Sequence, residues 1–176
     1  GSPPMAPSAD AGPAVPPRDD APVAGLVTHV VEIERLDVLR DAEATVCINL
    51  PAGLTEPALL VGVRTHLTEG SHHMIVSRAD SITPSGMPFA CSPFRHGLAD
   101  TIFIAQQPEA EFAFPSGSGL YMNAGQAIGL ELHFINYVSD TPLDIRGTVE
   151  LDFIPIPPSF REVHIAFTGN FALELA

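Results

Sequence analysis

The chain reads as an all-β protein, an antiparallel β-sandwich or jelly roll of about nine strands. Three observations predict this class. From Thr28 onward, apolar and polar residues alternate with period two. Turn residues separate the short alternating runs. The 3.6-residue periodicity of amphipathic helices is hard to find. With 176 residues, 45% of them hydrophobic, the chain has room for one domain with a sizeable core.

Residues 1–24 run from Gly1-Ser2-Pro3-Pro4-Met5-Ala6-Pro7 through Pro16-Pro17-Arg18-Asp19-Asp20 and offer almost nothing to bury. They read as a Pro/Ala-rich linker, with Gly1-Ser2 as the scar of a cleaved tag. An export signal or lipid attachment upstream is compatible with that reading, and such a linker can tether a domain to a membrane. Residues 25–176 are then the single folded domain.

Within it, Val46, Ile48 and Leu50 alternate with Thr45, Cys47 and Asn49 until Pro51-Ala52-Gly53 stops the strand. Leu59, Val61, Val63 and Thr65 make the next alternation, and Gly70-Ser71 turns the chain into His72-His73-Met74-Ile75-Val76. A loop rich in Ser, Pro and Gly covers residues 80–98. Brief strands at 101–106 and 111–114 flank Gln107-Pro108, and Pro115-Ser116-Gly117-Ser118-Gly119 is a turn.

The clearest strand is 126–137. Its Ile128, Leu130, Leu132 and Phe134 face one way, and Glu131, His133 and Ile135 face the other. Its expected partner is 144–153, where Ile145, Val149, Leu151 and Phe153 oppose a polar face of Arg146, Thr148, Glu150 and Asp152 expected in solvent. After Pro155-Ile156-Pro157-Pro158, runs at 162–168 and 171–175 are expected to extend the sheet.

The net charge of -13, with eight arginines and no lysine, argues against nucleic acid or anionic membrane as partner. No apolar run approaches the roughly 20 residues a membrane span needs, and no charged-then-apolar leader is present, so the chain is expected to be soluble. Cys47 and Cys91 belong to no Cys-x-x-Cys pair, which gives thiolate metal binding little support. They read either as a disulfide, which would place the protein in an oxidising compartment, or as two unrelated buried thiols.

The chemistry rests on histidine. His72, His73 and the distant strand residue His133 form a candidate metal site, and three imidazoles without a thiolate suit copper or zinc rather than calcium or magnesium. Successive side chains on a regular strand point to opposite faces, so His72 and His73 can share an ion only if a bulge or twist at the strand start turns both rings to one side. The pair therefore reads either as ligands or as a partly exposed polar strand end. His66, His96 and Met122 are weaker candidates for extra ligands, and His29 and His164 read as background. No Gly-x-Ser-x-Gly elbow, Walker loop, dinucleotide fingerprint or His-Glu-x-x-His pair is present.

Cys47 before Ile48-Asn49-Leu50-Pro51, the Ser71-His72-His73-Met74 segment, Cys91, and Leu130-Glu131-Leu132-His133-Phe134 together resemble the copper type II, ascorbate-dependent monooxygenases. This is the family of peptidylglycine α-hydroxylating and dopamine β-monooxygenases. The resemblance runs from about residue 27 to 153 and is to the N-terminal of that family's two copper domains. It implies one copper on His72, His73 and His133, an electron-supplying role for that copper, and a disulfide between Cys47 and Cys91. The family's second domain binds copper through a His-x-His pair and a methionine; no His-x-His occurs in this sequence, so that half is expected either to be absent from the protein or to lie outside the sequence given. Met122 does not match the place of that methionine.

The reading that follows is an extracytoplasmic protein, periplasmic, cell-surface or secreted, binding one copper that cycles between Cu(I) and Cu(II). Three nitrogens leave a position open for water, oxygen or peroxide, so a monooxygenase-like copper oxidoreductase is one expectation, with a reductant as partner. The alternative is a periplasmic copper carrier or buffer without catalysis, served by a copper donor. A hydrolytic zinc site is a third reading, with Glu131 as the candidate base. The fourth is an adhesion or assembly sandwich whose histidines are incidental.

Overall fold

The computed structural model describes residues 24–84, 86–95, 97, 100–137 and 139–166. The expected linker up to residue 23, the weak candidate His96 and the terminal run at 171–175 lie outside these residues. Eleven strands and no α-helix are present among the described residues, and no helix there is long and apolar enough to cross a membrane.

Two sheets form a β-sandwich. One has six strands, in the order β1 (Val27–Val38), β10 (Leu143–Pro155), β3 (Ala58–Leu67), β8 (Ser118–Met122) and β11 (Arg161–Glu162), with β7 (Glu109–Ala113) also pairing β3. The other runs β5 (Phe89–Ala90), β2 (Ala42–Pro51), β9 (Ala127–Asn136), β4 (Ser71–Ala79) and β6 (Thr101–Ala105). Every pairing is antiparallel except β11 with β8. The count exceeds the expected nine because β5 and β11 are two residues each, too short to show a period.

The core lies between the sheets. Ile48, Met74, Val76, Ile128, Leu130 and Leu132 from one meet Leu60, Val63, Ile145, Val149 and Leu151 from the other. Removing this apolar surface from water is the dominant favourable term for the fold.

Three expectations need correction. β10 does not pair with β9; β10 lies between β1 and β3, and β9 between β2 and β4. Alternation shows which face of a strand is buried but not which edge it shares, and these two strands turn their apolar faces toward the same core from opposite sheets. The phase of β3 also changes along its length. Gly62 pairs with Asp152 but Leu60 with Phe153, so Val61 is an extra residue, and Leu60 joins Val63 in the core cluster instead of Leu59 and Val61.

Nor is the polar face of β10 wholly solvated. Asp152 is 2% exposed and accepts hydrogen bonds from Arg64 Nη1 (2.6 Å) and Nη2 (3.0 Å) and from Thr28 Oγ1 (2.7 Å). A guanidinium fork satisfies a carboxylate well enough to allow its burial. Arg64→Met would take the guanidinium partner from that buried carboxylate, and we expect it to lower the unfolding free energy by about 3 kcal/mol. The check is a lower urea midpoint at unchanged slope, partly restored by adding Asp152→Asn.

Candidate metal centre

The histidines stand on the face of the five-stranded sheet that points away from the core. Along β4, Met74 and Val76 belong to the core cluster, so His73 and Ile75 take the opposite face. Along β9, Leu130, Leu132 and Phe134 are core, and Glu131, His133 and Ile135 face outward. His73 is directly opposite His133, whose other neighbour across the ladder is Thr45 on β2.

His72 joins them through a break in the ladder. Ser71 pairs with Phe134 and His73 with His133, so His72 is an extra residue in β4. This is the bulge at the strand start that the sequence argument required. Gly70 prepares it at φ +88°, a conformation that calls for glycine. Ile135 N donates to Gly70 O at 2.9 Å, fixing the turn against β9.

The three rings converge. Centroids are 5.3 Å apart for His72–His73, 5.2 Å for His72–His133 and 4.9 Å for His73–His133. One ligand nitrogen from each lies within 4.8 Å of the others. His72 Nδ1 is 3.1 Å from His73 Nδ1. His133 Nδ1 is buried with no hydrogen-bond partner, while its Nε2 is 3.0 Å from Glu43 Oε1. Burial, then the neighbouring His133 and His72, lower the pKa of His73, which favours the neutral form a metal needs. The hydrogen bonds of His133 and Tyr137 hold the Glu43 carboxyl below its ordinary value, and Glu43 raises the Tyr137 phenol.

The surroundings of the trio are tied down. Cys47 and Cys91 form a disulfide, and Cys91 N donates to Thr45 O at 3.2 Å. Glu131, the candidate zinc base, is 2% exposed; its Oε1 accepts from Phe94 N (3.0 Å) and its Oε2 from Arg95 N (3.2 Å). Both its oxygens therefore anchor the loop after the disulfide, which gives the carboxylate a structural task. Arg95 closes the loop by lying 4.9 Å over the Phe89 ring.

The weaker candidates are elsewhere. His66 lies on β3 in the other sheet, its Nδ1 2.5 Å from Glu109 Oε2 and its Nε2 3.6 Å from Glu150 Oε1. Met122 is fully buried in the core cluster on β8, opposite Ala58. Neither belongs to the histidine group. His29 Nδ1 lies 2.6 Å from Ala52 O, and His164 is exposed. Sequence reasoning missed Glu43 and Tyr137, which become visible only once the register of β2 against β9 is known.

The donor set fits a metal ion. Among the described residues it offers three imidazoles, one with a buried nitrogen that has no hydrogen-bond partner there, and no thiolate or carboxylate ligand. Among known proteins, no family model and no curated protein matches the chain. A chain of the extra small virus VLP of the giant freshwater prawn Macrobrachium rosenbergii is similar at TM-score 0.25 and 11% identity, over 89% of this chain and 97% of that one. So slight a likeness supports no functional argument.

Two outcomes are expected of the metal-free protein. Replacing Cys47 and Cys91 by alanine opens a loop of sequence separation 44 and should cost about 2–4 kcal/mol in chemical unfolding. Because His73 takes up a proton less readily folded than unfolded, it stabilises the fold above the ordinary imidazole value of 6.5, and that contribution is lost as pH falls below it. Thermal melting across this range should show the slope, and His73→Asn should flatten it.

Proposed function

We propose that this domain binds one copper ion through His72, His73 and His133 and passes electrons by cycling it between Cu(I) and Cu(II). The observation that carries the reading is the bulged strand end that sets three half-buried or exposed imidazoles around one point, with His133 Nδ1 left unsatisfied. Neutral nitrogen ligands suit copper in both oxidation states. The motif resemblance to the N-terminal copper domain of the ascorbate-dependent monooxygenases supports the same assignment. Zinc hydrolysis loses ground because Glu131 is spent on the loop.

The Cys47–Cys91 disulfide supports an oxidising, extracytoplasmic location, where such a bond persists. The ligand set leaves coordination positions open, so oxygen or peroxide chemistry at the site belongs to this reading, with a reductant as partner. One observation favours the copper carrier as a second reading: His72 is exposed, which gives a copper donor access to the site.

Anaerobic titration with Cu(I) and Zn(II), with bound metal counted, should find one tightly held copper per chain. The triple variant His72→Ala, His73→Ala, His133→Ala should hold none; equal binding by both proteins would refute the site. Peroxide formation that requires both copper and reductant then favours the redox reading, and tight Cu(I) retention without it favours the carrier.

A further inference from the structure

The histidine group is attached to a fourth side chain, Glu43, for which the copper reading gives no role. Glu43 stands opposite Ile135 in the β2–β9 ladder. His133 and Tyr137, two residues to either side of Ile135, are therefore its diagonal neighbours on the same face, within reach of a long side chain. It contacts both. Oε1 is 3.0 Å from His133 Nε2, and Oε2 accepts the Tyr137 hydroxyl at 3.1 Å.

We infer that Glu43 is the positioning residue of the metal centre: it holds His133 in the tautomer that presents Nδ1 to the metal, with Tyr137 fixing the orientation of the carboxylate. The inference rests on the metal reading above. Its logic is that of donors and acceptors. A neutral imidazole has one N–H and one bare nitrogen, and a carboxylate only accepts. The proton of His133 is therefore on Nε2, facing Glu43. The bare nitrogen is Nδ1, which is buried and has no hydrogen-bond partner among the described residues.

A buried acceptor left unmade costs free energy, and a metal ion is the partner that removes that cost. In the other tautomer Nδ1 would carry a buried hydrogen without an acceptor among the described residues, and Nε2 would face the carboxylate lone pair to lone pair. Glu43 opposes that arrangement. It also places a negative charge one hydrogen bond beyond the ligand, which makes the imidazole a better donor and favours Cu(II) over Cu(I). Tyr137 occupies the second carboxylate oxygen, so Glu43 is held to the ligand rather than free to turn toward solvent.

The test compares the full chain with Glu43→Ala, Glu43→Gln and Tyr137→Phe, using two readouts. Nitrogen NMR of the metal-free protein at pH 8 reads the tautomer of His133 directly. The wild type should show the Nε2–H form, Glu43→Gln should largely keep it through its amide oxygen, and Glu43→Ala should lose it. Metal titration and potentiometry are the second readout. Glu43→Ala should weaken copper binding 10- to 100-fold. Glu43→Gln should bind nearly as the wild type but with a raised Cu(II)/Cu(I) midpoint potential, and Tyr137→Phe should lie between Glu43→Gln and the wild type in both. Glu43 is exposed, so each variant should melt close to the wild type. One copper held by every protein at equal affinity and potential would overturn the inference and leave the copper reading standing. A wild type that binds no copper would overturn both. A wild-type His133 protonated on Nδ1 would overturn the inference alone.

Discussion

The pleat of a β-strand forbids what this site requires. Two consecutive side chains on a regular strand diverge by about half a turn, so adjacent histidines on β4 would put one ring outside and the other in the core beside Met74. The single extra residue at His72 removes that conflict, and everything else at this end of the sheet is arranged around it. Gly70 takes the positive φ that lets the chain enter the bulge, Gly70 O is bound by Ile135 N, and the ladder regains register at His73 opposite His133. Without the slip, the cross-strand pair His73–His133 would remain, but the third imidazole would be spent on the core.

A second constraint sits beside it and serves rigidity. The outer faces of the two sheets each bury one carboxylate, and they satisfy it in different ways. Asp152 is matched by an arginine fork and a threonine hydroxyl from neighbouring strands, a network internal to its sheet. Glu131 is matched by backbone N–H groups of a loop, and the disulfide at Cys47, directly across the ladder from Glu131, ties the same loop to β2. Ionic hydrogen bonds of this kind are stronger than neutral ones, so the loop is clamped by a covalent bond and a charged one within a few residues. The row of the ladder next to it holds Thr45, His133 and His73. The histidine face thus lies one ladder row from a loop tied down by the disulfide and by Glu131.

How much of this was legible in the sequence follows from what each signal encodes. Alternation reports burial, so the strands, the all-β class and the inward and outward faces of β9 could be read directly. It does not report edges, which is why β10 was assigned to the wrong neighbour. Bulges are invisible to a strict period of two: Val61 shifts the phase of β3 silently, whereas at His72 a bulge or twist is called for only on the reading that both histidines are ligands, since two adjacent ligands on one regular strand are otherwise incompatible. Buried carboxylates were misjudged because their partners, Arg64 for Asp152 and a loop backbone for Glu131, come from other parts of the chain. Glu43 was missed for the same reason, since a diagonal neighbour has no signature in either strand alone.

The electrostatics of the site bear on which ion it suits. The ligands are neutral imidazoles, so a bound cation keeps its full charge, and the nearest compensating anion is Glu43, held at one remove by His133 and Tyr137. A structural zinc site with several thiolates neutralises its metal within the ligand set; this one does not. With no ligand charge to overcome, the gain or loss of one electron changes the site's charge by one unit while every ligand can stay in place. The chain's strong negative charge meanwhile draws cations toward it from solution. A neutral set of three imidazoles, with one carboxylate a single hydrogen bond beyond it, can hold a cation such as copper or zinc, and under the proposed copper reading it lets the ion change oxidation state without changing its protein partners.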